Sequence, residues 1–519
     1  MIKQINKTHI ICSVSLLGTV VTSCDEKVKL PKRPNIIYIL ADDMGYAELG
    51  CYGQQKIETP NIDRLAAQGM RFMQHYSGSP VSAPTRCVTF TGLHTGHAYI
   101  RSNDQVDERG SGVQDYFAML ADSSLEGQRP LPAGTVTFPQ LLQKAGYTTG
   151  IVGKWGLGYP GSESTPNKMG FDFFYGYNCQ GWAHTYYPPF LYRNEQREYL
   201  PNELIPPHRS LLDEGADPYD VKSYAKYTQQ VYSPDAMYDE ILQFVEGNKD
   251  KPFFLAWTTT LPHVALQAPE RWVNYYHAKF GDEEPYTGSG YFPCRYPHAT
   301  YAAMISYLDE LVGGLVAKLK ALGIYENTVI IFTSDNGPAW NAGADPVWFD
   351  SAHPFNSSRG HGKGSVYEGG IRVPMIVTWE GVIEPNTQSD HISASWDIMA
   401  TVCELANTKA TANDGISFVP ELTGKKQKEH EYMYWVYPEA GGSKAIRMGK
   451  WKGAILNICK EGEDNMLLFD LEADPAEQNN IASKHPDIVK TLRANMAKAH
   501  REPPLIEHSV QFNCTSNRK

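Results

Sequence analysis

Twice in this chain an unbroken apolar run stops on a pair of oxygen-bearing side chains. Asn35-Ile36-Ile37-Tyr38-Ile39-Leu40 is followed by Ala41-Asp42-Asp43, and Thr328-Val329-Ile330-Ile331-Phe332-Thr333 by Ser334-Asp335-Asn336-Gly337. A run with no polar alternation reads as a strand buried on both faces, the habit of parallel sheets covered by helices. The same shape recurs more weakly at 253–257 and 374–377, and helical periods lie between at 59–66, 137–145, 302–322 and 395–405, the first opening on a cap residue and Pro60. Strands alternating with helices predict an α/β fold over 33–428. Its large, central, mostly parallel sheet is flanked by helices and gathers ligand groups at the carboxyl ends of its strands. The acids fall at those ends.

After about residue 428 the texture changes. Short strand-like runs at 432–436, 444–448, 451–455 and 467–470, then a helical period over 486–500, predict a smaller C-terminal α+β domain with an antiparallel sheet over 429–505, followed by a tail at 506–519. The stretch 181–230, rich in Pro, Tyr and charge, reads as a long cleft-lining excursion rather than regular structure.

Length supports such a plan, since 519 residues suffice for one large core plus a smaller domain. Mean hydropathy of -0.41 and the lack of a spanning apolar run argue against an integral membrane protein. A net charge of -11 without any Lys/Arg-rich block argues against a nucleic-acid partner. Any anion site must then be built from a few local cations and a metal. At the start, Lys3 and Lys7 precede an apolar stretch over 10–21, and Val21-Thr22-Ser23-Cys24 resembles a bacterial lipobox. Residues 1–24 are therefore expected to be a lipoprotein signal peptide, with Cys24 the lipidated residue; an ordinary cleaved signal is the other reading. Export to the periplasm or outer membrane of a Gram-negative-type bacterium follows, with the membrane engaged only through that anchor. Nine cysteines show no CxxC spacing, and seven remain once Cys12 and Cys24 are set aside, so no disulfide framework is expected.

Three carboxylates and an amide oxygen, if Asp42, Asp43, Asp335 and Asn336 converge, call for a hard cation: Ca²⁺, with Mg²⁺ second. Taken singly, either pair also fits ordinary strand-end turn residues. A second element is Pro80-Val81-Ser82-Ala83-Pro84-Thr85-Arg86, continuing to Thr91-Gly92. It resembles the signature of the sulfatase family, in which a Cys or Ser is oxidised to formylglycine. The resemblance spans nearly the whole mature chain, through Asn35 to Gly45, Gly153-Lys154-Trp155, Pro262-His263, Ser334-Asp335-Asn336-Gly337, His361-Gly362-Lys363-Gly364 and Phe469-Asp470-Leu471.

That resemblance implies roles position by position. Asp42, Asp43, Asp335 and Asn336 would bind the metal, with oxidised Ser82 as a further ligand. Arg86 would hold the formylglycine, Lys154 and Lys363 would bind sulfate oxygens, and His263 would protonate the leaving alcohol. Serine at position 82 matches the serine-type branch, which needs a dedicated maturase as partner; an engineered replacement of cysteine is the alternative. The family's Gly-Lys-Trp motif commonly continues with a histidine that assists sulfate release, and here Gly156 stands there. His184, His94, His97 and His361 are the candidate replacements, with His184 preferred because aromatic residues suited to a sugar face crowd 175–192. His184 and His361 are also expected to contact substrate.

The implied function is hydrolysis of sulfate monoesters on a saccharide by an exo-acting enzyme, with galactose or N-acetylgalactosamine as the sugar. Two other readings stand beside it. One is a phosphoester hydrolase of the same superfold, against which the Pro/Arg frame of Ser82 argues. The other is an inactive sulfated-glycan binding protein, marked by Gly156 and an unmodified Ser82.

Overall fold

The computed structural model describes residues 33–103, 115–208 and 210–501. The expected signal segment with Cys24 and the 506–519 tail lie outside the described residues. Ten strands form one sheet in the order Thr387–Ser389, Met70–Phe72, Met375–Thr378, Thr328–Ser334, Asn35–Ala41, Phe253–Thr258, Thr148–Lys154, Phe173–Tyr177, Phe190–Arg193, Gln196–Tyr199. The five strands from Thr328–Ser334 to Phe173–Tyr177 are mutually parallel, as the unbroken apolar runs require. Ile36 through Leu40 are wholly buried at the sheet's centre.

Two elements depart from the sequence reading. Met375–Thr378, which shares the apolar shape of the parallel strands, runs antiparallel to both of its neighbours. A strand buried on both faces carries no signal of its direction, so only pairing decides it. Within the 181–230 excursion, Phe190–Arg193 and Gln196–Tyr199 form a hairpin that extends the sheet from Phe173–Tyr177. Its turn uses Asn194 at φ +55°, a left-handed conformation that asparagine tolerates.

Register delivers the two acid pairs to one place. Asn35 pairs with Thr328 and the match runs without a bulge to Ala41 against Ser334. The residues that follow each strand therefore emerge side by side, and the Asp335 N–H donates to the Ala41 carbonyl at 3.0 Å. Helices Pro60–Ala67, Phe138–Lys144, Pro297–Ala321 and Asp397–Leu405 cover the sheet near the expected spans. Phe138–Lys144 starts with a capping box between Thr137 and Gln140.

A separate four-stranded antiparallel sheet runs in chain order: Met433–Tyr437, Ser443–Met448, Trp451–Ile455 and Met466–Asp470. The helix Pro486–Ala499 packs Leu492, Met496 and Ala499 onto Tyr434, Ile446 and Leu468. Wholly buried Lys452 of this sheet reaches Glu368 at 2.8 Å and Glu477 at 2.9 Å, tying the sheet to the segment that carries Lys363. Cys459 is disulfide-bonded, a cross-link that the odd cysteine count did not foretell. Cys51, Cys87, Cys179, Cys294 and Cys403 are free thiols.

Candidate active site

At the carboxyl end of Asn35–Ala41 the chain turns sharply, with Asp43 at φ +65°. The Asp43 N–H donates to Asp335 Oδ1 at 3.1 Å, and the Met44 N–H donates to Ser334 Oγ at 3.0 Å, which fixes the two strand ends against each other. Asp42, Asp43, Asp335 and Asn336 are each no more than 1% exposed. Asn336 Nδ2 donates to Asp43 Oδ1 at 2.8 Å and to the Gly337 carbonyl. Its Oδ1 is buried without a hydrogen-bond partner among the described residues. An orphaned amide oxygen costs about 1–3 kcal/mol, so its place beside three buried carboxylates fits a hard divalent cation. Ligand atoms of Asp42, Asp43 and His263 also lie within 4.8 Å of one another. The all-oxygen quartet suits Ca²⁺ or Mg²⁺ better than a set built on imidazole.

Ser82 opens the helix Ser82–Thr91, after Val81 in extended conformation. Its hydroxyl donates to Asp42 Oδ1 at 3.1 Å and accepts from Lys154 Nζ at 3.5 Å. One turn on, Arg86 is fully buried, and its guanidinium stands 3.5 Å from Asp42 and 3.4 Å from Asp335 while donating to the Lys154 carbonyl at 2.6 Å. Spacing of four residues on a helix puts both side chains on one face, so a single element presents the hydroxyl and the cation behind it. Lys154 ends its parallel strand with Nζ 2.7 Å from Asp42. Lys363 comes from a loop pinned by its N–H to the Pro338 carbonyl and reaches Asp43 at 2.7 Å. His263 follows Phe253–Thr258 on a turn where Nδ1 bonds the Val264 carbonyl, and its Nε2 stands 3.6 Å from Asp43.

Three carboxylates thus face Arg86, Lys154 and Lys363. Burial works against the Asp42 charge, but Lys154, His263 and Arg86 outweigh it and hold this carboxyl well below the usual carboxylate range. Asp335 is pushed up to about 7, first by burial and then by Asp42, with Arg86 opposing. Burial lowers Lys154 despite Asp42. For Lys363, Asp43 and Asp42 overcome burial and hold the ammonium above its ordinary value. Burial, aided by Lys363, lowers His263 to about 4.

Every residue expected at the metal and sulfate position is therefore in one cluster: Asp42, Asp43, Ser82, Arg86, Lys154, His263, Asp335, Asn336 and Lys363. Of the four histidines offered in place of the one missing at Gly156, His184 alone touches it, stacked on His263 with centroids 5.0 Å apart and planes 3° from parallel. His94 and His97 instead stack on each other at 4.3 Å and pair with Asp414. His361 bonds Ser358 Oγ at 3.2 Å and stacks on Tyr367.

A residue absent from the sequence reading occupies the space beside Gly156. That glycine has φ +74°, and a Cβ built on it would lie 2.9 Å from Gln180 Cγ. Gln180 Nε2 donates to Asn103 Oδ1 at 3.4 Å, the same oxygen that takes the Ala83 N–H at 2.9 Å, so this chain of contacts reaches the start of the Ser82 helix. His208 and Tyr291, which surround His184, were missed as well. The glycine was a visible signal; Gln180 opens the short 3₁₀ helix Gln180–His184, and His208 and Tyr291 lie in loops, where no periodicity marks them.

A family model described as Sulfatase matches residues 34–408, and one described as N-sulphoglucosamine sulphohydrolase, C-terminal, matches 359–502. An N-acetylgalactosamine-6-O-sulfatase of Bacteroides thetaiotaomicron is 29% identical, covering 91% of this chain and 95% of its own. Human arylsulfatase A is 30% identical over 89% of this chain and 87% of its own. Among solved structures, Ps i-CgsB superposes with a TM-score of 0.71 at 27% identity, covering 91% of this chain and 94% of its own. With the model spanning the strands, the acid quartet and Ser82 alike, the chain belongs to the sulfatase family and is a sulfuric ester hydrolase.

Proposed function

We propose that this chain is an exo-acting carbohydrate sulfatase that cleaves the sulfate monoester of a galactose or N-acetylgalactosamine unit with residue 82 as nucleophile. The observation that carries it is the placement of the Ser82 hydroxyl, bonded to Asp42 and within reach of Lys154, at the edge of a buried oxygen quartet. The sugar class rests on the relatives: one is an N-acetylgalactosamine-6-O-sulfatase, and Ps i-CgsB has been solved with k-i-k-neocarrahexaose.

A serine hydroxyl is a weak nucleophile, and the sulfur of a sulfate ester is screened by negative oxygens. A serine-type maturase would remove two hydrogens from Ser82 to give an aldehyde, whose hydrate carries two hydroxyls. One of them would attack sulfur, while His263, protonated under the charge of the bound sulfate ester, would give its proton to the leaving sugar oxygen. Loss of the other hydroxyl's proton would then expel sulfate and restore the aldehyde. Lys154 and Lys363 hold the sulfate oxygens, and Arg86 fixes residue 82 against the quartet. Asp42, Asp43, Asp335 and Asn336 would hold Ca²⁺, which supplies Lewis acidity and lowers the pKa of a nearby hydroxyl.

Coexpression with a serine-type maturase tests the proposal. The peptide bearing residue 82 should lose two hydrogens in mass, and free sulfate should appear from galactose-6-sulfate or N-acetylgalactosamine-6-sulfate, but phosphate should not appear from p-nitrophenyl phosphate. Binding of the sulfated sugars without sulfate release by the oxidised protein would leave a glycan-binding protein instead. We also propose export as a lipoprotein: Cys24→Ala should move the protein from the membrane fraction to the soluble one.

A further inference from the structure

Beside the general-acid candidate lies a histidine pair in which a backbone carbonyl fixes one of the protons. His208 Nδ1 stands 2.8 Å from the Gly290 carbonyl oxygen. A carbonyl only accepts, so Nδ1 carries a hydrogen and Nε2 of the neutral ring is a lone pair. That Nε2 lies 2.7 Å from His184 Nδ1. The His184 Nδ1 must then carry the donated hydrogen, which leaves His184 Nε2 bare. His184 is 8% exposed, and its Nε2 is not among the enclosed polar atoms without a partner, so this edge faces the open side of the pocket.

The alternative is a cationic pair in which both nitrogens of His208 donate and His184 Nε2 becomes a donor. Burial, then the imidazoles of His208 and His263 and the ammonium groups of Lys154 and Lys363, oppose a positive charge on His184 itself, so that ring is not the one that carries it. Position matters as much as proton. The His184 ring lies parallel to His263 at 5.0 Å, so its acceptor sits one ring spacing from the group proposed to protonate the leaving oxygen. Tyr291 packs edge-on against both histidines of the pair, at 5.4 Å from His184 and 4.8 Å from His208, and closes the wall behind them.

We propose that His208 locks His184 in its Nδ1–H tautomer so that His184 Nε2 accepts a hydrogen bond from a free hydroxyl of the substrate sugar near the sulfated carbon. His208 is thus a positioning residue and His184 a specificity-determining one; this deepens the sulfatase reading and rests on it. A saccharide with that hydroxyl removed or itself sulfated leaves the acceptor unpaired, or places an anion against a lone pair, and is disfavoured.

The test compares the oxidised enzyme with its His208→Leu and His208→Gln variants on a sulfated hexosamine and its singly deoxygenated analogues. Leucine removes the lock. Glutamine keeps it, because its amide can donate to Gly290 and accept from His184. Wild type and H208Q should lose about ten- to a hundred-fold in kcat/KM on one deoxy analogue, whereas H208L should lose activity on the parent sugar and show a ratio near one. Equal ratios in wild type and H208L, or no discrimination among analogues by an active wild type, overturn the inference. Selective ¹⁵N-histidine NMR gives a readout that needs no turnover: a proton on Nε2 of His184 in the wild type refutes the lock. Absence of sulfate release from every saccharide defeats the hydrolase reading instead, while that spectrum still decides the tautomer.

Discussion

Restoring a histidine at position 156 tests how far Gln180 has taken over the space beside the nucleophile. Gly156 sits at φ +74°, where a side chain costs about 1–2 kcal/mol. The new Cβ would lie 2.9 Å from Gln180 Cγ and 3.1 Å from its Cδ, and crowding of this kind adds about 1–3 kcal/mol. Gly156→His should therefore destabilise by roughly 2–5 kcal/mol. Unfolding entropy of about 2.1 cal/mol/K per residue over 519 residues comes to ~1.1 kcal/mol/K, so the melting temperature should fall by about 2–5 °C. Gln180→Ala in the same chain removes the crowding but not the backbone cost. The double variant should recover part of the loss, with a coupling of roughly 1–3 kcal/mol. Scanning calorimetry of wild type, both single variants and the double variant reads the whole cycle. A G156H protein that melts with the wild type, or a double variant no better than G156H, would show that Gln180 does not occupy that space.

Removing Lys154 should cost about 10²–10³ in kcat if the ammonium 2.7 Å from Asp42 holds the sulfate oxygens as proposed; Lys154→Ala retaining full turnover on a sulfated sugar would contradict that role. Chelation should abolish sulfate release and Ca²⁺ should restore it more fully than Mg²⁺, as measured by sulfate titration with each ion. Lys452→Met strands the buried carboxylate of Glu477, while Glu368 keeps Arg372 at 3.1 Å, and should destabilise by about 3–5 kcal/mol, read from the loss of melting temperature. His75 is wholly buried, with Nδ1 on Ser393 Oγ, and burial lowers it to about 3. Its folded form resists protonation, so its stabilising effect is complete above the unfolded pKa of about 6.5 and is lost at ~1.4 kcal/mol per pH unit as pH falls from there towards about 3. His75→Gln should flatten that acid limb; an unchanged slope would refute the assignment.

Local chemistry determined a good deal by itself. Unbroken runs of this length, rich in β-branched residues and bounded by Asp, Asn and Gly, fit a strand covered on both faces, so strands ending at Ala41 and Ser334 were legible from composition and order. The signature around Ser82, the two lysines and His263 stood at positions that needed no fold to recognise. Tertiary structure decided whatever depends on register and on loops. Only the pairing of Ala41 with Ser334 brings the acid pairs together across nearly three hundred residues, and only the antiparallel pairing of Met375–Thr378 sets a direction that a doubly buried strand does not encode. His94 and His361 resembled replacements for the missing histidine because a sequence carries residue type but not facing. The sequence showed Gly156 as a gap, and the fold put Gln180 against it and His208 behind His184, since loop residues are placed by the packing of distant elements rather than by any period of their own.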